Sequence, residues 1–80
     1  MRQRKPFLII TFSATTDAMA AEKYCQAQGL PGRLIPIPRE ITAGCGLAWK
    51  TLPDEEVRFQ SALQMAGIRW ETMKTLEMWG

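Results

Sequence analysis

Phe7-Leu8-Ile9-Ile10-Thr11-Phe12 and Arg33-Leu34-Ile35-Pro36-Ile37-Pro38 are two extended stretches of opposite character, and the contrast between them decides the fold. The first is an unbroken apolar, β-branched and aromatic run, which suits a strand buried on both faces in the middle of a sheet. The second carries two prolines that cannot donate ladder hydrogen bonds, so it belongs at a sheet edge. Between them, Ser13 to Thr16 offers N-capping hydroxyls, Asp17 suits the positive end of a helix dipole and Gly29 supplies a left-handed C-terminal cap. These signals predict a helix over Thr15 to Gln28, with Ala18, Ala21 and Cys25 on one face and therefore in the core. A Leu30-Pro31-Gly32 turn leads into the proline-bearing strand.

Leu47 to Leu52 reads as the third strand. Pro53-Asp54-Glu55-Glu56 then opens a second helix, with Phe59, Ala62, Leu63 and Ala66 as its apolar stripe and Gly67 as its end. Arg69 to Met78 is a last strand carrying Trp70. Gly29-Leu30 and Gly67-Ile68 echo each other, each closing a helix ahead of a strand. The order βαββαβ is the split-βαβ pattern of an α+β, ferredoxin-like sandwich: a four-stranded antiparallel sheet with two helices on one face. That topology independently requires an internal first strand and a second strand at the edge. The apolar side chains on the uncovered face of residues 7–12 need a cover, and a homodimer or a docked partner is the simplest one.

The 80 residues read as a single domain over residues 1–80, with residues 1–6 as a flexible basic N-terminus. A chain this short buries only about 60% of the surface its unfolded form exposes, which leaves little room for a deep substrate cavity. A net charge of +2 from scattered basic residues is too weak for a phosphate-tracking surface. Leu47-Ala48-Trp49-Lys50-Thr51 lacks the aromatic and glycine pattern of an RNA-reading strand, so no nucleic acid partner is expected. Histidine is absent, which removes Ser-His-Asp and Cys-His catalysis within one chain and the usual imidazole metal ligands. No metal and no cofactor is expected. No stretch approaches a membrane span. The basic start followed by Phe7 to Ala14 and Ala18-Met19-Ala20 mimics a signal peptide, but the apolar run is short and cleavage would remove a strand the domain needs. With two cysteines, too few for a secreted disulfide scaffold, the expected location is the cytoplasm, with both thiols reduced.

Pro38 to Gly46 is longer than the usual connection of about 2–5 residues in a hairpin, and unusually long loops are often functional. Cys45 sits there between Gly44 and Gly46. Positive φ at the glycines would turn successive N–H groups towards one point, an anion-binding nest beside the sulfur that favours thiolate over thiol. Arg39 in the loop and Arg33 on the preceding strand are both candidates to fold over it and strengthen that effect. An exposed thiolate accepts a sulfane sulfur atom, and the resulting persulfide anion would need the same donors. A carrier also needs no general base, in keeping with the absence of histidine.

Gly32-Arg33-Leu34-Ile35-Pro36 leading into Pro38-Arg39-Glu40-Ile41-Thr42-Ala43-Gly44-Cys45-Gly46-Leu47-Ala48, together with Thr15-Thr16-Asp17-Ala18, resembles the selenium/sulfur carrier protein-like family, once catalogued as a domain of unknown function. The resemblance covers nearly the whole chain. It implies a bacterial or archaeal cytoplasmic carrier, not an enzyme, that holds selenium or sulfur on the cysteine of the Gly-Cys-Gly segment, here Cys45. The binding surroundings are then Arg33, Arg39, Thr42, Gly44 and Gly46. The expected partners are a cysteine desulfurase or selenocysteine lyase as donor and an acceptor enzyme of sulfur or selenium metabolism. The basic N-terminus, Tyr24 and Cys25, and the tryptophan-rich tail depart from the family pattern without touching the Cys45 loop.

Blander roles compete at several positions. Cys45 can be a small residue fitted into a tight turn, and Cys25 a small hydrophobe in the core rather than a resolving thiol. Arg33 and Arg39 can be solvated surface charge. Trp49, Trp70 and Trp79 read as packing or dimer-interface residues, and Met65, Met73 and Met78 as core or interface filler. The alternative function is a dimeric, small-ligand-binding regulatory module in which the long loop closes a pocket at the dimer interface. A metal chaperone is disfavoured, because only one cysteine stands in the loop.

Overall fold

The computed structural model describes residues 3–41 and 44–79. Its elements are β1 (Arg4–Thr11), α1 (Thr15–Gln28), β2 (Arg33–Pro36), β3 (Leu47–Thr51), a short 3-10 turn (Pro53–Glu55), α2 (Glu56–Met65) and β4 (Thr72–Trp79). The strands form one sheet in the order β2-β3-β1-β4, and every neighbouring pair is antiparallel. This is the α+β, ferredoxin-like arrangement: the apolar first strand is internal and the proline-bearing second strand is at the edge. β1 begins at Arg4, three residues before the apolar run. Arg4, Lys5 and Pro6, which the sequence assigned to a flexible terminus, therefore pair with Glu77, Met78 and Trp79 of β4.

Alternation along the strands builds two separate apolar clusters. Leu8, Ile10 and Phe12 with Trp49 face both helices and pack with Ala18, Ala21 and Cys25 of α1 and Phe59 and Leu63 of α2. Each fully buried large side chain in this layer contributes roughly 1.5–3 kcal/mol. Trp49 and Phe59 bridge sheet and helix with ring centroids 6.4 Å apart, and the Trp49 indole N–H donates to the Pro31 carbonyl at 3.1 Å. The predicted α2 stripe stops one turn early: Phe59 and Leu63 are buried, but Ala66 is exposed. Met65, expected as filler, is 88% exposed.

The helix ends realise the echo in the sequence. At Gly29 (φ 68°) and Gly67 (φ 72°) the chain turns left-handed. The next residue's N–H then bonds back into the helix, Leu30 to the Cys25 carbonyl and Ile68 to the Leu63 carbonyl, both at 2.9 Å. Leu30 and Ile68 pack against the helix-side core, which is the hydrophobic contact that accompanies such caps. The start of α1 differs from expectation. Its N-cap residue is Ala14, and no side-chain hydroxyl caps the helix; Asp17 and Ala18 N–H both donate to the Ala14 carbonyl instead.

On the opposite face, Ile9 and Ala48 are fully buried although no helix covers them. The cover comes from the long loop: Ile41 packs on Ile9 and Ala48, with Phe7, Ile35, Ile37, Leu76 and Met78 around the cluster. The expected second chain is not required to bury the centre of this face. Among the described residues, no helix is long and apolar enough to cross a membrane.

Candidate functional site

Cys45 lies where the long loop rejoins the sheet, just before β3, and it is partly buried. The segment around it is pinned from two sides. Its own N–H donates to the Phe12 carbonyl at the end of the central strand at 2.8 Å, and the next carbonyl, of Gly46, accepts from the Ile37 N–H at 2.9 Å, continuing the ladder between β2 and β3 by one step. Both flanking glycines have positive φ, 95° at Gly44 and 94° at Gly46, as the Gly-Cys-Gly pattern anticipated. The nest, however, is not formed as expected, because the Cys45 N–H that would be its middle donor is committed to Phe12. The Cys45 thiol is free; its Sγ lies 3.9 Å from the Leu47 carbonyl, and the side chain packs against the edge of the helix-side core.

The two glycines have different reasons to be glycine. At Gly46 a Cβ would meet nothing, so the requirement is conformational. At Gly44 a Cβ would stand 2.9 Å from the Phe12 carbonyl oxygen and 3.4 Å from Oε1 of Glu71. The Glu71 backbone is tied by its N–H bond to the Thr11 carbonyl at 2.6 Å, and the residue is exposed. Its carboxylate reaches the cysteine loop beside Gly44, with the same sign of charge that a thiolate or persulfide would carry.

The predicted basic surroundings are only partly assembled. Arg33 is at the far end of β2, in register with Lys50, while the Cys45 loop joins the other end of that hairpin opposite Pro36; the structure does not bring Arg33 to the thiol. Arg39 is exposed at the tip of a tight turn closed by the Ile41 N–H on the Pro38 carbonyl at 3.0 Å, and it makes no hydrogen bond or ion pair with a described residue. Thr42 lies outside the described residues. What sequence reading missed is how the loop is held: Ile41 as its anchor on the sheet, Phe12 as acceptor for the Cys45 N–H, and Glu71 as neighbour of Gly44. Ile41 was open to inference as the lone large apolar side chain between Pro38 and Gly46; the other two depend on tertiary placement.

Cys25 is the more deeply buried of the two free cysteines. It is 1% exposed on the core face of α1, and burial pushes its thiol up to about 11. Its burial and raised pKa suit a small hydrophobe in the core better than an attacking thiolate. No group of three or more Cys, Asp or Glu side chains among the described residues could hold a metal ion.

Comparison with known proteins bears on this loop directly. A family model described as "Putative Se/S carrier protein-like" matches residues 7–74, from the central strand through the Cys45 loop into β4. The chain belongs to this Se/S carrier protein-like family. A curated relative, "Uncharacterized protein YtiA" of Escherichia coli (strain K12), is 40% identical over 53 residues, which are 65% of this chain and 61% of that protein. The chain thus spans less than two thirds of that relative's length. No solved structure matches the chain significantly.

Proposed function

We propose that this protein is a non-enzymatic cytoplasmic carrier that holds one sulfur or selenium atom on Cys45 and passes it between partner enzymes. The observation that carries this reading is the family match across a loop whose cysteine is partly exposed while the other cysteine is sealed in the core. In the loading step the Cys45 thiolate attacks the outer chalcogen of a donor enzyme's persulfide or selenosulfide. A bond forms from Cys45 Sγ to that atom as the donor's bond to it breaks, and the donor cysteine leaves as a thiolate. No net oxidation occurs, and unloading is the same exchange with an acceptor thiolate. The donor class is a cysteine desulfurase or selenocysteine lyase, and the acceptor is an enzyme of sulfur or selenium metabolism.

The pinned backbone constrains where Sγ sits; among the described residues neither predicted arginine is held beside it, and Glu71 lies near Gly44. In this reading the partner supplies the positive charge that steadies the transferring anion, and the carrier alone holds its cargo loosely. Homodimerisation through the open sheet face is disfavoured by charge. Its exposed strand positions include Lys5, Arg33 and Lys74 and no acidic residue, so a face-to-face pair would set like charges together.

The test is intact-mass analysis, without reductant, after incubation with a cysteine desulfurase and cysteine, and separately with a selenocysteine lyase and selenocysteine. A thiol-labile gain of one chalcogen atom on the native chain and none on Cys45→Ala is expected. If Cys45 alkylates readily but no donor of either class loads it, the carrier reading fails.

A further inference from the structure

On the face of the sheet that carries no helix, one row of residues runs straight across the strands: Arg33 of β2, Lys50 of β3, Ile9 of β1 and Lys74 of β4. Side chains alternate between faces along a strand, so Lys5, Phe7, Leu76 and Met78 stand on this same face. We propose that the face docks an acidic amphipathic helix presented by a partner protein.

Charge is the first argument. Lys5, Arg33 and Lys74 are exposed, and none makes a hydrogen bond or ion pair with a described residue. Lys50 is not counted with them, because its ammonium is already engaged, 4.1 Å from the centroid of the Phe7 ring and 3.3 Å from the Trp79 carbonyl. No acidic side chain occupies a described strand position of this face; Glu77, in register with Pro6, belongs to the helix-side face. The covering loop adds one exposed charge of each sign, Arg39 and Glu40. The excess of cations favours an acidic partner and opposes a second copy of this chain.

Shape is the second argument. Ile41 covers Ile9 and Ala48 towards the Cys45 end, and beside it Phe7, Leu76 and Met78 remain only partly buried. Lys74 and Lys5 bracket this apolar strip: Lys74 is opposite Ile9 and Met78 opposite Lys5, a separation of about 13 Å along the strands. Arg33 flanks it from the other edge of the sheet, about 14 Å across from Lys74. At 1.5 Å per residue, about nine residues of helix span the strip. Apolar side chains at helical spacing then meet Phe7, Leu76 and Met78 while carboxylates on the helix flanks reach the cations. Single-stranded nucleic acid fits less well, since it binds by stacking on aromatic rings. The described strand positions of this face hold one such ring, Phe7, and Lys50 sits over it.

The probe is a synthetic peptide of about 18 residues, long enough to hold a helix, made of glutamate and leucine with the leucines on one helical face. Titrated into the ¹⁵N-labelled protein, it is expected to give saturable, salt-sensitive amide shifts at Phe7, Arg33, Lys74, Leu76 and Met78. Lys74→Glu and Arg33→Glu, both at exposed positions, should each weaken binding about tenfold, whereas Lys23→Glu, the same charge change at an exposed position of α1, should alter it less than about twofold. Cys45→Ala should leave binding unchanged, which separates this proposal from the carrier reading. Absence of saturable shifts on this face overturns the proposal. So does an equal response to the scrambled peptide or to poly-glutamate, which lack the apolar stripe, or an equal loss from Lys23→Glu and Lys74→Glu. Tighter binding of oligo-uridylate at the same amides overturns it in favour of nucleic acid, and concentration-dependent shifts of these amides in the free protein overturn it in favour of a second copy.

Discussion

Gly44→Ala and Gly46→Ala place the same methyl group at nearly the same φ, 95° and 94°, on either side of Cys45. Both pay for a conformation that L-residues avoid, about 1–2 kcal/mol each. At Gly46 that is the whole cost, since the new Cβ meets nothing. At Gly44 the methyl would stand 2.9 Å from the Phe12 carbonyl oxygen, closer than real Cβ atoms approach, and that oxygen belongs to backbone at the end of the central strand. The loop must give way, and the hydrogen bond lost first is the one from Cys45 N–H to that same oxygen, with a net value of about 0.5–1.5 kcal/mol. Gly44→Ala is therefore expected to cost about 1 kcal/mol more than Gly46→Ala. For a domain of this size the difference corresponds to a Tm gap of about 4–8 °C. Urea and thermal unfolding followed by tryptophan fluorescence measure it, and native-state alkylation should be faster at Cys45 in Gly44→Ala because the loop is unpinned. Equal losses in the two variants, or a larger loss at Gly46, would refute the claim that Phe12 holds the cysteine loop.

Ile41→Ala removes the loop's anchor over Ile9 and Ala48; a loss of about 1–3 kcal/mol in urea unfolding is expected, with a rise in fluorescence of an apolar dye bound to the uncovered sheet. Glu71→Gln should speed reaction of Cys45 with an anionic disulfide reagent by about two- to fivefold at low salt and leave neutral iodoacetamide nearly unaffected; equal effects on both reagents would remove Glu71 from the site. Because burial raises the Cys25 thiol from 9.0 to about 11, the folded state holds that proton longer than the unfolded state does. The resulting stability is full below pH 9 and declines as pH rises towards 11, by at most about 1.4 kcal/mol per pH unit. Urea unfolding of wild type and Cys25→Ala across that range should show the wild type falling more steeply. Trp49→Phe should destabilise the fold and disturb the Pro31–Arg33 turn, since it deletes the indole bond to the Pro31 carbonyl; an unchanged amide spectrum at Gly32 and Arg33 would contradict that.

Local chemistry in the sequence was enough for the topology. An apolar run with no polar face has to be an inner strand, and prolines at 36 and 38 have to sit where ladder donors are not needed, so βαββαβ leaves a single consistent sheet order. The left-handed glycines at 29, 44, 46 and 67 were equally legible, because a turn or cap at those points needs positive φ. So was the burial of Cys25, through its spacing from Ala18 and Ala21. The surroundings of Cys45 were not legible, because they are made by segments remote in sequence. Phe12 accepts its N–H through the pairing of β1 with β3, and Glu71 approaches Gly44 through the pairing of β1 with β4. Arg33, close to Cys45 along the chain, is carried to the other end of the sheet because β2 runs antiparallel to β3. The same register that takes Arg33 from the thiol sets it opposite Lys50. Sequence thus determined which backbone positions could exist and which cysteine would be buried, whereas strand pairing decided which charges meet.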